Sequence, residues 1–310
     1  LRTIEEESIV NLLLSIFTAD ILPVFVIAGI GFLLARKLKA SVKTLSHVVF
    51  YALVPCLGFR LLVTSKMTGP QVGKMALMAV LVTVSMGLLA RIAAIPLGLS
   101  RSELSAFLLV VMFSNGGNYG LPVVLFAFGQ EALSHATVYF VTSSILTYTL
   151  GVFLAAAGRR KTSHALLGIT RVPAIYGVAA AAIIIGAGIS VPMAIMRPIG
   201  MLSDAALPTM VLVLGMQLER ATIPERPVVV GAAVLLSLAA APLVALGLAS
   251  LLGLSGPARQ AGVILASMPV AVVTTILALE FEVSPAFVTS AVFFSTLLSP
   301  LTLTPLIARL

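Results

Sequence analysis

Apolar residues run along this chain in long blocks separated by short polar stretches, rather than alternating with polar positions. A bilayer core about 30 Å thick needs roughly 20 mostly apolar residues in one helix, because backbone N–H and C=O groups find no water there and must pair within their own segment. Ten blocks meet that requirement: Leu12–Ala35, Val42–Thr64, Met75–Leu97, Glu103–Phe128, His135–Ala157, Val172–Ile189, Met193–Leu218, Val228–Leu252, Ala258–Leu279 and Pro285–Ala308. The pattern predicts an all-α integral membrane protein with ten transmembrane segments. Glu5, Glu6 and Glu7 stand ahead of the first block where a cleaved signal peptide would carry basic residues, so no such peptide is expected.

Two blocks are interrupted near their middles. In segment 4 the run Asn115-Gly-Gly-Asn-Tyr-Gly-Leu-Pro122 falls at the midpoint, and in segment 9 the midpoint falls on Met268-Pro269. Glycine costs about 1 kcal/mol per helical position relative to alanine, and proline about 3. Both segments are therefore expected to break at membrane depth, which is tolerated only where the freed backbone lines a cavity or packs in protein. Pro23, Pro55, Pro96, Pro208, Pro242, Pro300 and Pro305 read as ordinary kinks.

The link over residues 159–171 is the most basic and divides the chain into five-segment halves, 1–158 and 172–310. An odd number of segments per half places the halves inverted to one another. Leu97-Gly-Leu-Ser100 precedes segment 4 as Leu252-Gly-Leu-Ser255 precedes segment 9, and Phe140-Val-Thr-Ser143 is expected to open segment 5 as Phe287-Val-Thr-Ser290 opens segment 10. The change of offset between the two pairs assigns about eight extra residues to segment 4, on the 115–122 run.

Composition changes the picture only in what it excludes. Sixty per cent of the residues are apolar, 10% are charged and the mean hydropathy is +1.16, against about 25% charged in soluble domains. The net charge of +8 is not a nucleic-acid signature, since the basic residues sit in short clusters between apolar blocks with no aromatic interleaving. Twelve of the nineteen Lys and Arg fall on the side of the segment 1–2 link. That side is expected to be cytoplasmic, with both termini outside. Cys56 is the single cysteine, so no intrachain disulfide forms. His47, His135 and His164 lie at segment edges, far apart, and no metal site or cofactor is expected.

Two half-helices meeting at the midplane would aim their N-terminal N–H groups at the crossing point, an environment that favours a carboxylate. Pro122 and Pro269 suit the first turn of each outgoing half. The candidate substrate site is Asn115, Gly116, Gly117, Asn118, Tyr119, Pro122, Met268, Pro269, Thr274 and Thr275, whose amides and hydroxyls can donate to an anion. Asp204, midway along segment 7, and Asp20 in segment 1 are candidates for ion coupling; Arg60 and Arg91 lie near segment ends and are expected to snorkel. No paired intramembrane aspartates, His-Glu-x-x-His run or serine with a partnered histidine is present, so an enzyme is not expected.

The Asn115–Val124 run followed by Phe128-Gly-Gln-Glu131 resembles the auxin efflux carrier family in its bacterial form. So do Leu45-Ser-His-Val-Val-Phe-Tyr-Ala-Leu-Val-Pro55, Ala205-Ala-Leu-Pro208 through Gly215-Met-Gln-Leu218, Ala266-Ser-Met-Pro269 and Ser295-Thr-Leu-Leu-Ser299. The resemblance covers nearly the whole chain but lacks the long loop between segments 5 and 6 of plant members. It implies the fold of sodium/bile acid symporters: a scaffold from segments 1, 2, 6 and 7, which would also supply a homodimer surface, and a transport domain from segments 3–5 and 8–10. Substrate would bind where segments 4 and 9 cross, with Asn115, Pro122 and Pro269 matching the crossover elements. The expected protein is a multi-pass transporter in the inner membrane of a bacterium or archaeon. It would move a small organic anion, auxin-like or a mono- or dicarboxylate, by an elevator motion. The alternatives are a sodium-coupled symporter of the same fold, for which no sodium site is matched, and a ligand-binding receptor.

Overall fold

A computed structural model describes residues 2–65, 67–158, 173–219 and 226–310, with side chains from residue 9 onward; the basic 159–171 link lies outside the described residues. Apart from one isolated β-bridge, the described secondary structure is helical. Seven helices among the described residues are long and apolar enough to cross a membrane. In chain order with the shorter helices, the elements are α1 (Ile9–Leu38, helical from Arg2), α2 (Val42–Thr64), α3 (Gly69–Ala93), α4 (Arg101–Met112), α5 (Gly116–Gly158), α6 (Ala174–Gly186), α7 (Met193–Leu218), α8 (Pro227–Leu251), α9 (Gly256–Ala266), α10 (Val273–Glu280) and α11 (Pro285–Ile307).

The surface is what a lipid solvent requires. Leu251, Met201, Leu301 and Val228 are 73–78% exposed, and an apolar exterior of that kind would aggregate in water. Inside, hydroxyls at Thr83, Thr137, Thr142, Ser144, Thr147 and Thr296 donate to the carbonyl four residues earlier. Each polar group is thereby satisfied within its own helix.

Four of the five wide helical turns among the described residues, at 17–21, 49–53, 116–120 and 236–240, end two residues before a proline: Pro23, Pro55, Pro122 and Pro242. In each case the residue before the proline donates its N–H to the carbonyl five residues back. A proline ring clashes with the carbonyl four residues earlier; widening the preceding turn removes the clash and keeps the helix continuous. The fifth such turn, 147–151, has no proline behind it.

Helices α1, α2, α6 and α7 pack as one group, while α3 and α9 pack on α5 and α8 packs on α3 and α9. Backbone contact holds the first group together. A Cβ built on Gly215 would lie 1.7 Å from the Ala28 carbonyl oxygen, and one on Gly31 would lie 2.1 Å from that of Leu212, so α1 and α7 touch main chain to main chain. Helices α2 and α6 do the same where Gly177 meets Pro55, 2.2 Å by the same measure. At one end of the bundle Arg101 donates to the Ala157 carbonyl at 2.7 Å and Arg226 pairs with Glu103. At the other end Arg60 pairs with Asp204 and Gln260 donates to Leu310 O at 3.1 Å.

Several expectations need correction. Segments 4 and 5 are not separated by a loop over 129–134: Gly129 alone, at φ 77° and ψ −168°, breaks an otherwise continuous helix. Phe140-Val-Thr-Ser143 therefore lies inside α5, not at a helix opening, whereas Phe287 sits in the first turn of α11. The placement of eight extra residues on the 115–122 run loses its basis with that pairing. His135, expected at a segment edge, is 3% exposed within α5. The Leu-Gly-Leu-Ser pair keeps its place, with Ser100 and Ser255 as N-caps of α4 and α9. Ser100 and Glu103 complete a capping box there, the Ser100 N–H donating to Glu103 Oε2 at 2.9 Å.

Candidate functional site at the paired helix breaks

The chain leaves helical geometry between α4 and α5, where Phe113 is extended at φ −116° and ψ 112°, and again between α9 and α10. These stretches pair with each other. Ser114 and Val270 form an antiparallel bridge, Asn115 N–H donating to Pro269 O at 2.7 Å and Ala271 N–H to Phe113 O at 2.9 Å. Side chains take up more of the freed groups, since Ser114 Oγ donates to Leu265 O at 2.8 Å and Val270 N–H donates to Ser295 Oγ at 3.1 Å. Replacing Ser295 by alanine strands the buried Val270 N–H, so Ser295→Ala is expected to lose about 1–3 kcal/mol of stability, read as a lower melting temperature in detergent.

The outgoing halves begin at Gly116 and Val273, not at the prolines. Pro122 follows the wide turn 116–120, and Pro269 sits inside the second break. The correction has a physical cause: the wide turn accommodates the proline ring within a helix already under way. Gly116 N–H donates to Ser114 O at 2.8 Å, so the N–H groups of the first turn left for a ligand are those of Gly117 and Asn118.

A cavity of 330 Å³ opens on this stretch, lined by Ser114, Asn115, Gly116, Gly117 and Asn118. Its facing wall comes from α2, with Ser46, His47, Phe50 and Tyr51, and from α7, with Met210 and Gln217. A second cavity of 480 Å³ continues from it past Ser46, His47 and Gln217 to Lys43 and Thr275. Among the described residues no Asp or Glu lines either one; Lys43 and His47 supply the basic groups. Phe50, Tyr51 and Tyr148 give an aromatic wall, Phe50 lying 5.4 Å from Tyr51 and 5.6 Å from Tyr148 between ring centroids. A third cavity of 610 Å³ occupies the opposite ends of α2 and α7, lined by Arg60, Thr64, Pro122, Gln130, Ser203 and Asp204 among apolar neighbours. Only a thin partition divides the two sides, because Val54 and Met210 line the first cavity while Leu57, Leu207 and Val211 line the third.

Asn115 is 5% exposed, and its amide Nδ2 has no hydrogen-bond partner among the described residues. The Ser46 hydroxyl is in the same state, on the facing wall of the same cavity. A buried donor left unpaired costs about 1–3 kcal/mol, so two of them on residues that line one cavity suit a ligand that brings acceptors. Asn118 donates from Nδ2 to Gln217 Oε1 at 3.3 Å, which ties the broken helix to α7 across the cavity.

The candidate residues are thus divided. Asn115, Gly116, Gly117 and Asn118 come together on the first cavity, and Thr275 lines the second. Tyr119 is fully buried, hydrogen-bonded to the Ser299 hydroxyl at 3.0 Å and edge-on to Phe25. Thr274 is fully buried and donates to Ala271 O at 2.6 Å. Met268 is buried on the far side of the break beside Gly120, and Pro269 contributes its carbonyl to the bridge. Pro122 faces the third cavity, as does Asp204; Asp20 lies in the wide turn of α1 and lines none of these three spaces. Sequence reasoning missed Ser46, His47 and Gln217.

A family profile described as membrane transport protein matches this chain twice, over residues 16–165 and 157–307. A protein of Methanothermobacter thermautotrophicus named as an uncharacterized transporter is 27% identical over 294 residues, spanning 91% of this chain and 94% of its own length. Another uncharacterized transporter, from Methanocaldococcus jannaschii, is 24% identical over 205 residues, 65% of this chain and 67% of its own.

Proposed function

The chain belongs to the membrane transport protein family, that of the auxin efflux carriers, and on that premise we propose that it is a secondary transporter of a small organic anion. The observation that carries the cargo class is the unpaired Asn115 amide, buried at a cavity that no Asp or Glu among the described residues lines, beside the N–H groups of Gly117 and Asn118. A carboxylate would accept from these donors and from Ser46, and an apolar or planar body would lie on Phe50, Tyr51 and Tyr148. The volume of 330 Å³ suits a small metabolite.

In this reading the chain makes ten spans in two inverted halves, with α4 and the start of α5 as segment 4, and α9 with α10 as segment 9. Cavities on both faces of the paired breaks support alternating access, since a receptor needs only one. The group α1, α2, α6 and α7 is then the fixed scaffold and homodimer surface, and the group around α5 moves against it as an elevator. Both termini lie outside, and the Lys43–His47 mouth opens to the cytoplasm.

Purified protein in liposomes should take up at least one of indole-3-acetate, malate or malonate, and that compound should also raise the melting temperature with concentration. Stabilisation without flux would replace the transporter by a receptor, and a sodium-dependent shift in affinity would favour a symporter. No stabilisation and no flux with any carboxylate would remove the anion assignment.

A further inference from the structure

The third cavity contains a cation that the crossover site does not use. Arg60, near the end of α2, would be expected to extend toward the headgroups. Instead it lines the cavity, where its Nη1 donates to Gly200 O at 3.1 Å and pairs with Asp204. Both contacts run through that one nitrogen, and a guanidinium carries five N–H donors in a planar fork suited to a carboxylate. The side chains are 36% and 72% exposed for Arg60 and Asp204. Exposed pairs of this kind contribute little to stability, so exchanging one carboxylate partner for another is close to neutral.

The rest of the lining fits the same ligand. Leu57, Leu61, Phe126 and Leu207 give an apolar wall, and Gln130 adds an amide. Pro122 belongs to the helix whose preceding turn lines the first cavity, so the two spaces lie in series across the partition.

We propose that Arg60 forms a second carboxylate-binding station on the side of the membrane opposite the Lys43–His47 mouth, and that Asp204 is its resident counter-ion, displaced when a substrate carboxylate arrives. This rests on the chain being a transporter of organic anions. It gives Asp204 a role as an internal competitor rather than a carrier of coupling ions.

The two partners then affect transport with opposite signs, which a structural clamp would not produce. Uptake of the carboxylate found active in the liposome screen is measured in vesicles of each orientation, giving an apparent KM for each face. Asp204→Asn removes the competitor and is expected to lower KM severalfold on the third-cavity face. Arg60→Gln is expected to raise it about tenfold there, and Arg60→Lys to fall between, keeping the charge but losing the fork. All three should leave KM on the opposite face within about twofold. Should Arg60→Gln fail to accumulate, the sign of Asp204→Asn on that face decides the matter alone. Equal losses from Asp204→Asn and Arg60→Gln, no change with Asp204→Asn, or equal effects on both faces overturn the station while leaving the transporter intact. Wild-type protein that moves no carboxylate overturns both.

Discussion

Asn115→Ala is expected to raise the half-saturating anion concentration about 10- to 150-fold while leaving the unliganded protein at least as stable as the wild type. Both effects have one cause. In the free protein the Asn115 amide is buried with no partner among the described residues, so its removal relieves a desolvation cost of about 1–3 kcal/mol rather than breaking a bond. In the complex the same amide donates to a carboxylate, and a hydrogen bond to a charged group contributes about 1.5–3 kcal/mol, which converts to that range in affinity. Asn115→Asp should be worse, because it sets a negative charge where the ligand's charge must sit. The checks are flux in liposomes and melting temperature with and without ligand. If Asn115 only filled space, melting temperature would fall and affinity would hold, the reverse pattern. Ser46→Ala should show the same signature more weakly, from the facing wall.

That segments 4 and 9 break near their middles was readable, because glycine, asparagine and proline crowd one midpoint and Pro269 sits at the other, but the bounds were not: the chain leaves the helix at 113–115 and is helical again through the three glycines and Pro122. The bounds of α2 and α7 were readable for a simpler reason, since charge and proline close both ends of each apolar run. Helical phase could not be read. Thr274 and Thr275 are equivalent as residue types, yet one is turned into packing against Ala271 and the other toward the second cavity. Tyr119 offered a hydroxyl and an apolar plate, but it faces Ser299 and Phe25 instead of the site. The wide turn at 116–120 shifts the helical phase as far as the break at Gly129, and a following proline does not by itself announce such a turn, since 147–151 widens with none behind it.

The facing wall was hidden for a different reason. Ser46 and His47 stand near the start of an apolar block and Gln217 near the end of another, where polar residues ordinarily mark the lipid interface. Only the fold, which sets Gln217 against Asn118 and brings Ser46 and His47 to the same cavity, makes them part of a site. Gln217 did carry a signal, as the lone amide in Gly215-Met-Gln-Leu218, but a single amide at the end of an apolar run has no chemistry of its own until a second polar group faces it.

Gly215→Ala is expected to be among the most damaging single-methyl changes available in the described chain. Its Cβ would stand 1.7 Å from the Ala28 carbonyl oxygen, about half the contact distance of roughly 3.5 Å. No rotamer escapes, because the methyl is fixed to one backbone and the obstacle is another. Helices α1 and α7 must therefore part, and main-chain contact is what associates helices in lipid, where apolar side chains gain little by leaving the solvent. Overpacking in a close-packed core typically costs about 1–3 kcal/mol, and rigid backbone on both sides places this site at or above the top of that range. Gly31→Ala meets Leu212 O in the same seam and should cost a comparable amount, while the double variant should fall short of the sum because the first methyl already opens the gap. Gly29→Ala is the control: it lies on the same helix with nothing within 4 Å of its Cβ, and helix propensity predicts no loss or a gain of up to about 1 kcal/mol. Melting curves in detergent, with monodispersity by size-exclusion chromatography, separate the three. Equal behaviour of Gly29→Ala and Gly215→Ala would show that α1 and α7 do not rely on this contact, and with it would go the premise that they form the rigid wall against which the broken helices work.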